Sequence, residues 1–318
     1  MTDKASKTLR YFFLILSSSM LLLSILMWVY FSIHRQCPSY FVYFIMLLPA
    51  TAGMASKLLT MSKLTPARNF YLFYLTVVIL MFFIVILSFI LTIKFEMLCT
   101  LLITFGSIVG YFFLANVPKQ DRISSGFNLY GNKKKMLLCI LLFIVLLSLS
   151  LKLQALINYL VSGDSQQLTI SLAHWNRMPG LLISFFTTYI IYLGEEYGWR
   201  YFLQSKLTSK YGMAKGILLV GIIWGLFHVP IDFIYNQLPP LALIYRLVVC
   251  ISSSFFLGWV YVYTQNIWVV TFIHYLNNNL PSLWEFHRSS FNIFTSLAYV
   301  AVFLPFVFTK SLRTRPHE

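Results

Sequence analysis

Ten long apolar stretches divide the chain, and short runs of polar or charged residues separate each stretch from the next. About 20 consecutive apolar residues suffice for an α-helix to cross the hydrocarbon core of a bilayer. The pattern therefore predicts an all-α polytopic membrane helical bundle with about 8 to 10 transmembrane helices. The predicted spans are 11–31, 40–56, 70–93, 97–117, 136–158, 181–203, 213–235, 241–264, 267–286 and 291–309.

The second predicted span is short and contains Pro49, so nine spans with one re-entrant segment is the main alternative. Lys and Arg are shared unevenly between the two sides of the predicted bundle. About three quarters of the 24 fall on the side of the N-terminal tail, and loops rich in Lys and Arg remain in the cytoplasm. We therefore expect a multi-pass protein of the cell membrane with cytoplasmic N- and C-termini.

Composition agrees with a membrane protein, since 59% of the residues are hydrophobic, 10% are charged and the mean hydropathy is +0.77. A soluble domain usually carries about 25% charged residues. The net charge of +15 does not indicate nucleic-acid binding, because the basic residues lie mostly in short loops between spans. The four cysteines show no C-x-x-C spacing, so we expect neither a zinc motif nor a disulfide framework.

Polar residues inside predicted spans concentrate in the second half of the chain. An ionisable side chain at membrane depth costs at least ~2.5 to 3.5 kcal/mol, so such a concentration indicates a functional site. The longest polar loops, 118–135 and 159–180, mark the internal boundary. We expect N-terminal membrane helices of unassigned role at 1–160, a catalytic core at 175–288, and a last transmembrane helix with a basic cytoplasmic tail at 289–318.

The stretch from Gly194 to Arg200 places two acids and an arginine within one predicted span. Glu196 and Arg200 are four residues apart with the acid first, which favours an ion pair on one helical face. Glu195 points about 100° away and stays available for another partner. Gly194 and Gly198 form a Gly-x-x-x-Gly pattern, which allows the backbone of another helix to approach closely.

The next predicted span carries a histidine beside two glycines. Gly221 and Gly225 form a second small face, followed by His228. Pro230 lacks a backbone N–H, so we expect a local kink near His228 and Asp232. Alone, this histidine could equally be a buried hydrogen-bonding residue.

A third element contains His274 and Asn278, which are four residues apart and share a helical face. Imidazole and carboxamide are neutral donors that suit a developing oxyanion, although hydrogen bonding between helices is an alternative use for them. Together the three elements supply an acid, a histidine, and a histidine with an amide. These groups can activate water and stabilise a tetrahedral intermediate, with Glu195 as the base and His228 helping to hold the water.

These ordered motifs resemble those of the CPBP family of intramembrane proteases, also called the CAAX protease and bacteriocin-processing, or Abi, family. The resemblance covers about residues 180–285, roughly a third of the chain. Tryptophan stands where the family usually has phenylalanine, and every other motif residue is present. The motifs E-E-x-x-x-R, W-x-x-x-H and H-x-x-x-N are carried by Glu195, Glu196, Arg200, Trp224, His228, His274 and Asn278.

The resemblance implies a helical membrane fold with a cavity among the motif helices. It implies that Glu195 activates water with His228, and that His274 and Asn278 stabilise the oxyanion. Three motif residues would have supporting roles, namely Glu196, Arg200 and Trp224. We expect no cofactor, while zinc held by Glu195, His228 and His274 is the alternative.

The expected function is that of an intramembrane endopeptidase acting on a membrane-associated protein or peptide by glutamate-activated water. A Lys-, Ile-, Phe- and Tyr-rich chain that is poor in Ala favours a bacterial role in peptide processing or bacteriocin self-immunity. Removal of C-terminal residues from prenylated CAAX proteins is one alternative. Others are a non-catalytic regulator that binds a sensor kinase or another membrane protein, and a transporter with a polar site at mid-membrane. The expected partners are the substrate and the lipid bilayer, without nucleic acid.

Overall fold

A computed structural model describes residues 3–60, 67–91, 95–168, 174–284 and 293–313 of the chain. Within these ranges the chain is helical and contains no β-strand. The helices are α1 (Asp3–His34), α2 (Ser39–Thr60), α3 (Arg68–Leu87), α4 (Glu96–Ala115), α5 (Lys119–Ser124), α6 (Lys133–Ser162), α7 (Met178–Glu196), α8 (Ser205–Tyr211), α9 (Met213–Phe227), α10 (Pro240–Thr264), α11 (Ile267–Asn279), α12 (Ile293–Phe303) and α13 (Lys310–Arg313).

Within the described residues, eight helical segments are long and apolar enough to cross a membrane. The all-α polytopic bundle predicted from the sequence is therefore confirmed. The last two predicted spans are shorter than expected, because α11 has 13 residues before a 3₁₀ turn at Leu280–Leu283 and α12 has 11 before a 3₁₀ turn at Leu304–Phe308. The predicted boundaries at 286 and 291 lie outside the described residues.

The second span is a continuous helix of 22 residues that includes Pro49. It is longer than the sequence pattern indicated, and it is one of the eight segments long enough to span. The helix is therefore long enough to cross the membrane without a re-entrant turn. Proline removes one backbone hydrogen bond of a helix, and membrane helices tolerate it where they pack against other helices, as α2 does at Pro49 against Gly198.

Glycine faces hold the site-bearing helices together. Gly194 at the end of α7 lies against the backbone of α2, where an added Cβ would stand 2.5 Å from the carbonyl oxygen of Met46. At Gly198 an added Cβ would overlap Pro49. The predicted close approach at this Gly-x-x-x-Gly pattern is therefore confirmed, and α2 is the helix that approaches.

The second glycine face packs α9 against α10. A Cβ added at Gly221 would lie 2.8 Å from the Cα of Ile251, and one added at Gly225 would lie 3.0 Å from the Cα of Leu247. Only hydrogen atoms fit in these positions, so the two backbones approach closely. This packing places α9 beside α10 at the level of the motif residues.

Two π-helical segments interrupt the site-bearing helices. One covers Tyr197–Gln204 directly after α7, and the other covers Ile231–Tyr235 directly after Pro230. The kink expected at the proline is thus realised as a change of helix type. Short π segments widen a helix and are frequent at functional sites. The sequence pattern contained no signal for the first segment.

Candidate active site

Glu196 is fully buried and binds two basic side chains. Its Oε2 accepts from Nε of Arg200 at 2.9 Å, which is the predicted i,i+4 ion pair. Its Oε1 accepts from Nδ1 of His274 at 2.7 Å. Glu196 thus joins α7, the following π segment and α11. A buried charge is tolerated when it is paired and hydrogen-bonded in this way.

His274 is bonded to Glu196, although the helical spacing had paired Glu196 with Arg200 and left Glu195 as the acid available for another partner. The helical azimuth separates the two acids but does not indicate which side α11 packs against. Trp224 nevertheless links Glu195 to both histidines, because its indole binds Glu195 and its ring contacts both imidazoles.

Arg200 is held by partners from two other helices as well as by Glu196. Its Nη1 donates to Oγ of Ser254 on α10 at 2.8 Å, and its Cζ lies 5.0 Å from the ring centroid of Trp224. Ser254 in turn donates to the carbonyl of Ile217 on α9. The guanidinium therefore fixes the relative positions of α9, α10 and the π segment.

Glu195 accepts two indole N–H groups on a single oxygen. Nε1 of Trp224 lies 2.7 Å from Oε2, and Nε1 of Trp199 lies 3.4 Å from the same atom. The residue is only 2% exposed. Its other oxygen, Oε1, accepts no hydrogen bond from the described part of the chain. One carboxylate oxygen is thus anchored by the two indoles, and the other has no hydrogen-bond partner in the described ranges.

His228 follows α9 and is half-buried. Its Nδ1 lies 2.8 Å from the carbonyl oxygen of Trp224, so Nδ1–H donates one turn back along the chain. In the neutral imidazole this leaves a lone pair on Nε2. Sγ of Cys250 on α10 also lies near the ring, at 3.9 Å from Nδ1.

Asn278 lies one turn beyond His274 and is exposed. Its Oδ1 accepts from Nδ2 of the neighbouring Asn277 at 3.2 Å, so the structure does not join its amide to another motif residue within the described ranges. Asn277 instead lines a narrow space beside His274, together with Trp224 and Tyr299. The hydroxyl of Tyr299 donates to Oδ1 of Asn277 at 3.1 Å.

Several residues at the site were absent from the sequence interpretation. Trp199 had a usable signal, because it stands four residues after Glu195 and so shares its helical face. Ser254 and Tyr299 had none, since their contacts depend on how α10 and α12 pack. Asp232 was noted only as a polar residue, and it forms a two-bond ion pair with Arg246 at 2.8 and 3.2 Å.

The zinc alternative can be compared with this geometry. In the described ranges, no three His, Cys, Asp or Glu side chains are grouped so that they could hold a metal ion. Glu195, His228 and His274 do not form such a group. The proposed ligand set Glu195, His228 and His274 does not fit zinc in this arrangement.

Comparison with known proteins relates this site to a family of membrane proteases. A family model described as "Type II CAAX prenyl endopeptidase Rce1-like" matches residues 176–280, about a third of the chain. Residues 176–280 are similar to this family. The resemblance to the CPBP family is therefore confirmed over this segment, which holds all seven motif residues.

The chain is also similar to CAAX prenyl protease 2 of Methanococcus maripaludis. It is 42% identical over 43 residues, which are 14% of this chain and 16% of the relative. The alignment thus spans less than a fifth of that relative's length. The Rce1-like segment excludes α2, which packs on the glycine face of α7, and α12, which carries Tyr299.

Proposed function

We propose that this membrane protein is an intramembrane endopeptidase that hydrolyses a peptide bond in a membrane-associated protein or peptide. The observation that carries the proposal is the convergence of three separate motifs. Glu195 is bonded to Trp224 of the second motif, and Glu196 is bonded to His274 of the third, each at 2.7 Å. The Rce1-like similarity of the same segment supports this reaction class.

In the proposed reaction Glu195 acts as general base. Its Oε1 takes a proton from water, and the resulting hydroxide attacks the carbonyl carbon of the scissile bond. His228 helps to hold the water through the lone pair on Nε2. The proton on Glu195 then passes to the departing amine as the tetrahedral intermediate collapses, which regenerates the carboxylate.

His274 and Asn278 are proposed to stabilise the oxyanion. Hydrogen bonding to Glu196 keeps a proton on Nδ1 of His274, so a second proton on Nε2 would give a charged donor. Asn278 is exposed in the described structure, so its amide is free to turn toward a bound substrate. One well-placed donor contributes ~2.7 to 4 kcal/mol to lowering the barrier.

Two substrate classes fit a protease of this kind. One is a prenylated CAAX protein, a class favoured by the description of the matching family model and by the name of the archaeal relative. The other is a secreted peptide or bacteriocin, which the composition of the chain favours. We propose cytoplasmic N- and C-termini in either case, because Lys and Arg concentrate on that side.

The deciding experiment compares native protein with Glu195→Gln, which keeps the shape of the side chain and removes the base. Purified protein in liposomes is incubated with an internally quenched peptide ending in a farnesylated CAAX sequence, and with the same peptide without the lipid. Comparative peptidomics of cells carrying either form covers other substrates. The matched control is Glu96→Gln, which alters an exposed acid at the start of α4.

We expect native protein and Glu96→Gln to produce a cleaved peptide that Glu195→Gln does not produce. Cleavage of only the farnesylated peptide would assign the CAAX class, and cleavage without the lipid would favour peptide processing. If Glu195→Gln retains full biological activity with an unchanged peptide profile, the proteolytic proposal is wrong. That result would favour a regulator that binds a sensor kinase or another membrane protein.

A further inference from the structure

Trp224 contacts more of the candidate site than any motif acid or histidine does by itself. Its indole donates to Glu195, and its ring centroid lies 5.6 Å from that of His228 and 5.7 Å from that of His274. The guanidinium of Arg200 stands over the same ring. A single buried side chain of α9 thus touches all three motifs.

The contact with Glu195 is polar and specific. The N···O distance of 2.7 Å is at the short end of the range for hydrogen bonds, as is usual when the acceptor is charged. Trp199 reaches the same oxygen at 3.4 Å, so it is the weaker donor of the two. Phenylalanine at position 224 would fill part of the space that the indole occupies, but it has no N–H group to donate a hydrogen bond to Glu195.

The bond also distinguishes the two oxygens of Glu195. Both indoles bind Oε2, and Oε1 is left without a partner in the described part of the chain. A carboxylate fixed by one oxygen cannot rotate freely about its terminal torsion. Holding a reacting group in its productive orientation is a large contribution to catalysis.

We propose that Trp224 is a positioning residue whose indole N–H anchors Oε2 of Glu195 and thereby presents Oε1 as the base. The effect on rate rests on the proposed proteolytic function, whereas the hydrogen bond itself does not. The tryptophan at this position, in place of the phenylalanine usual in the resembling family, then supplies a donor that the ring alone lacks.

The kinetic test is Trp224→Phe, assayed in liposomes with the farnesylated quenched peptide and its unprenylated counterpart. We expect kcat to fall about 10- to 100-fold while KM changes less than about 2-fold, since the lost bond orients the base and does not bind substrate. Trp199→Phe should cause a smaller loss. Trp259→Phe removes a partly buried tryptophan of α10 outside the site and should leave both constants unchanged.

A spectroscopic test does not depend on a substrate. Protein labelled with ¹⁵N in the tryptophan indoles gives one resonance that disappears in Trp224→Phe and is thereby assigned. We expect its proton to move upfield in Glu195→Gln, because a neutral amide oxygen is a weaker acceptor than a carboxylate. The same resonance should not move in Glu96→Gln.

The outcomes separate the two proposals. If the Trp224 resonance does not shift in Glu195→Gln, or if Trp224→Phe has the native kcat, the positioning role is wrong. Neither result contradicts the proposed proteolytic function. If native protein cleaves neither peptide, and the Trp224 resonance still shifts in Glu195→Gln, the hydrogen bond between Trp224 and Glu195 is supported and the proposed function fails. A rise in KM with unchanged kcat would make Trp224 a substrate-binding residue and would also overturn the positioning role.

Discussion

Two adjacent glutamates have different environments at this site, and the difference follows from their partners. Glu196 is saturated by a guanidinium and an imidazole, so its charge is compensated within the protein. Glu195 is held only by neutral indole donors and keeps one oxygen without a described partner. The sequence spacing predicted the pair of Glu196 with Arg200, because an i,i+4 relation is local. It could not predict that His274 binds Glu196, since that contact depends on the packing of α11.

The same donor arrangement leads to a prediction about metal dependence. We expect purified active protein to contain no stoichiometric zinc and to keep its activity after treatment with a strong chelator, because no three His, Cys, Asp or Glu side chains of the described residues are grouped so that they could hold a metal ion. Elemental analysis beside the chelator challenge measures this. Activity that is lost with zinc and restored by adding it back would contradict the metal-free mechanism.

At the scale of elements, the glycine patterns were the most informative part of the sequence after the motifs. They predicted close helix contacts without naming the partners, which are α2 for α7 and α10 for α9. The first π segment could not be predicted, because the change from α- to π-helix after Glu196 depends on tertiary packing around residues such as Pro49 and Arg200. The helix that carries Glu195 and Glu196 therefore lies where the sequence predicted it, but the chain after Glu196 is π-helical, which the sequence did not predict.

Gly198→Ala tests the contact between α2 and the π segment. An added methyl group would overlap Pro49, so we expect a clear loss of thermal stability in detergent, of the order of 1 to 3 kcal/mol, and lower activity. Gly180→Ala is the matched control, because an added Cβ at that position meets no atom within 4 Å. Equal stability of the two variants would show that α2 does not approach as closely as described.

Tyr299→Phe tests whether α12, beyond the Rce1-like segment, contributes to the site. The change removes a hydroxyl that donates to Asn277 and accepts from Ser253, so we expect a loss of about 1 kcal/mol in stability and several-fold lower activity. The control is Tyr189→Phe, whose buried hydroxyl has no hydrogen-bond partner in the described structure. If Tyr299→Phe has the stability and activity of native protein, as Tyr189→Phe should, α12 contributes packing contacts and no functional hydrogen bond to the site.

For the whole molecule, contacts between loops agree with the alternation of spans inferred from hydropathy. Asn266, after α10, donates to the carbonyl of Asn128, and Tyr201, in the π segment after α7, donates to that of Ser124. These contacts place three predicted cytoplasmic connections at one end of the bundle. Trp175, just before α7, and Trp284, after α11, lie near two connections predicted for the opposite side, and their rings are in contact. The apolar pattern was sufficient to predict which connections lie at the same end of the bundle, because each membrane crossing takes the chain to the opposite side.

The absolute orientation is the remaining prediction, and it rests on the positive-inside rule. Single cysteines at Lys134, before the fifth predicted span, and at Gln166, after it, can be labelled with a membrane-impermeant maleimide. The background carries Cys37→Ser, because the other three native cysteines are buried. We expect Gln166→Cys to react in intact cells and Lys134→Cys to react only after permeabilisation. The opposite pattern would place both termini outside, and the candidate site would then have to be reached by substrates from the other face of the membrane.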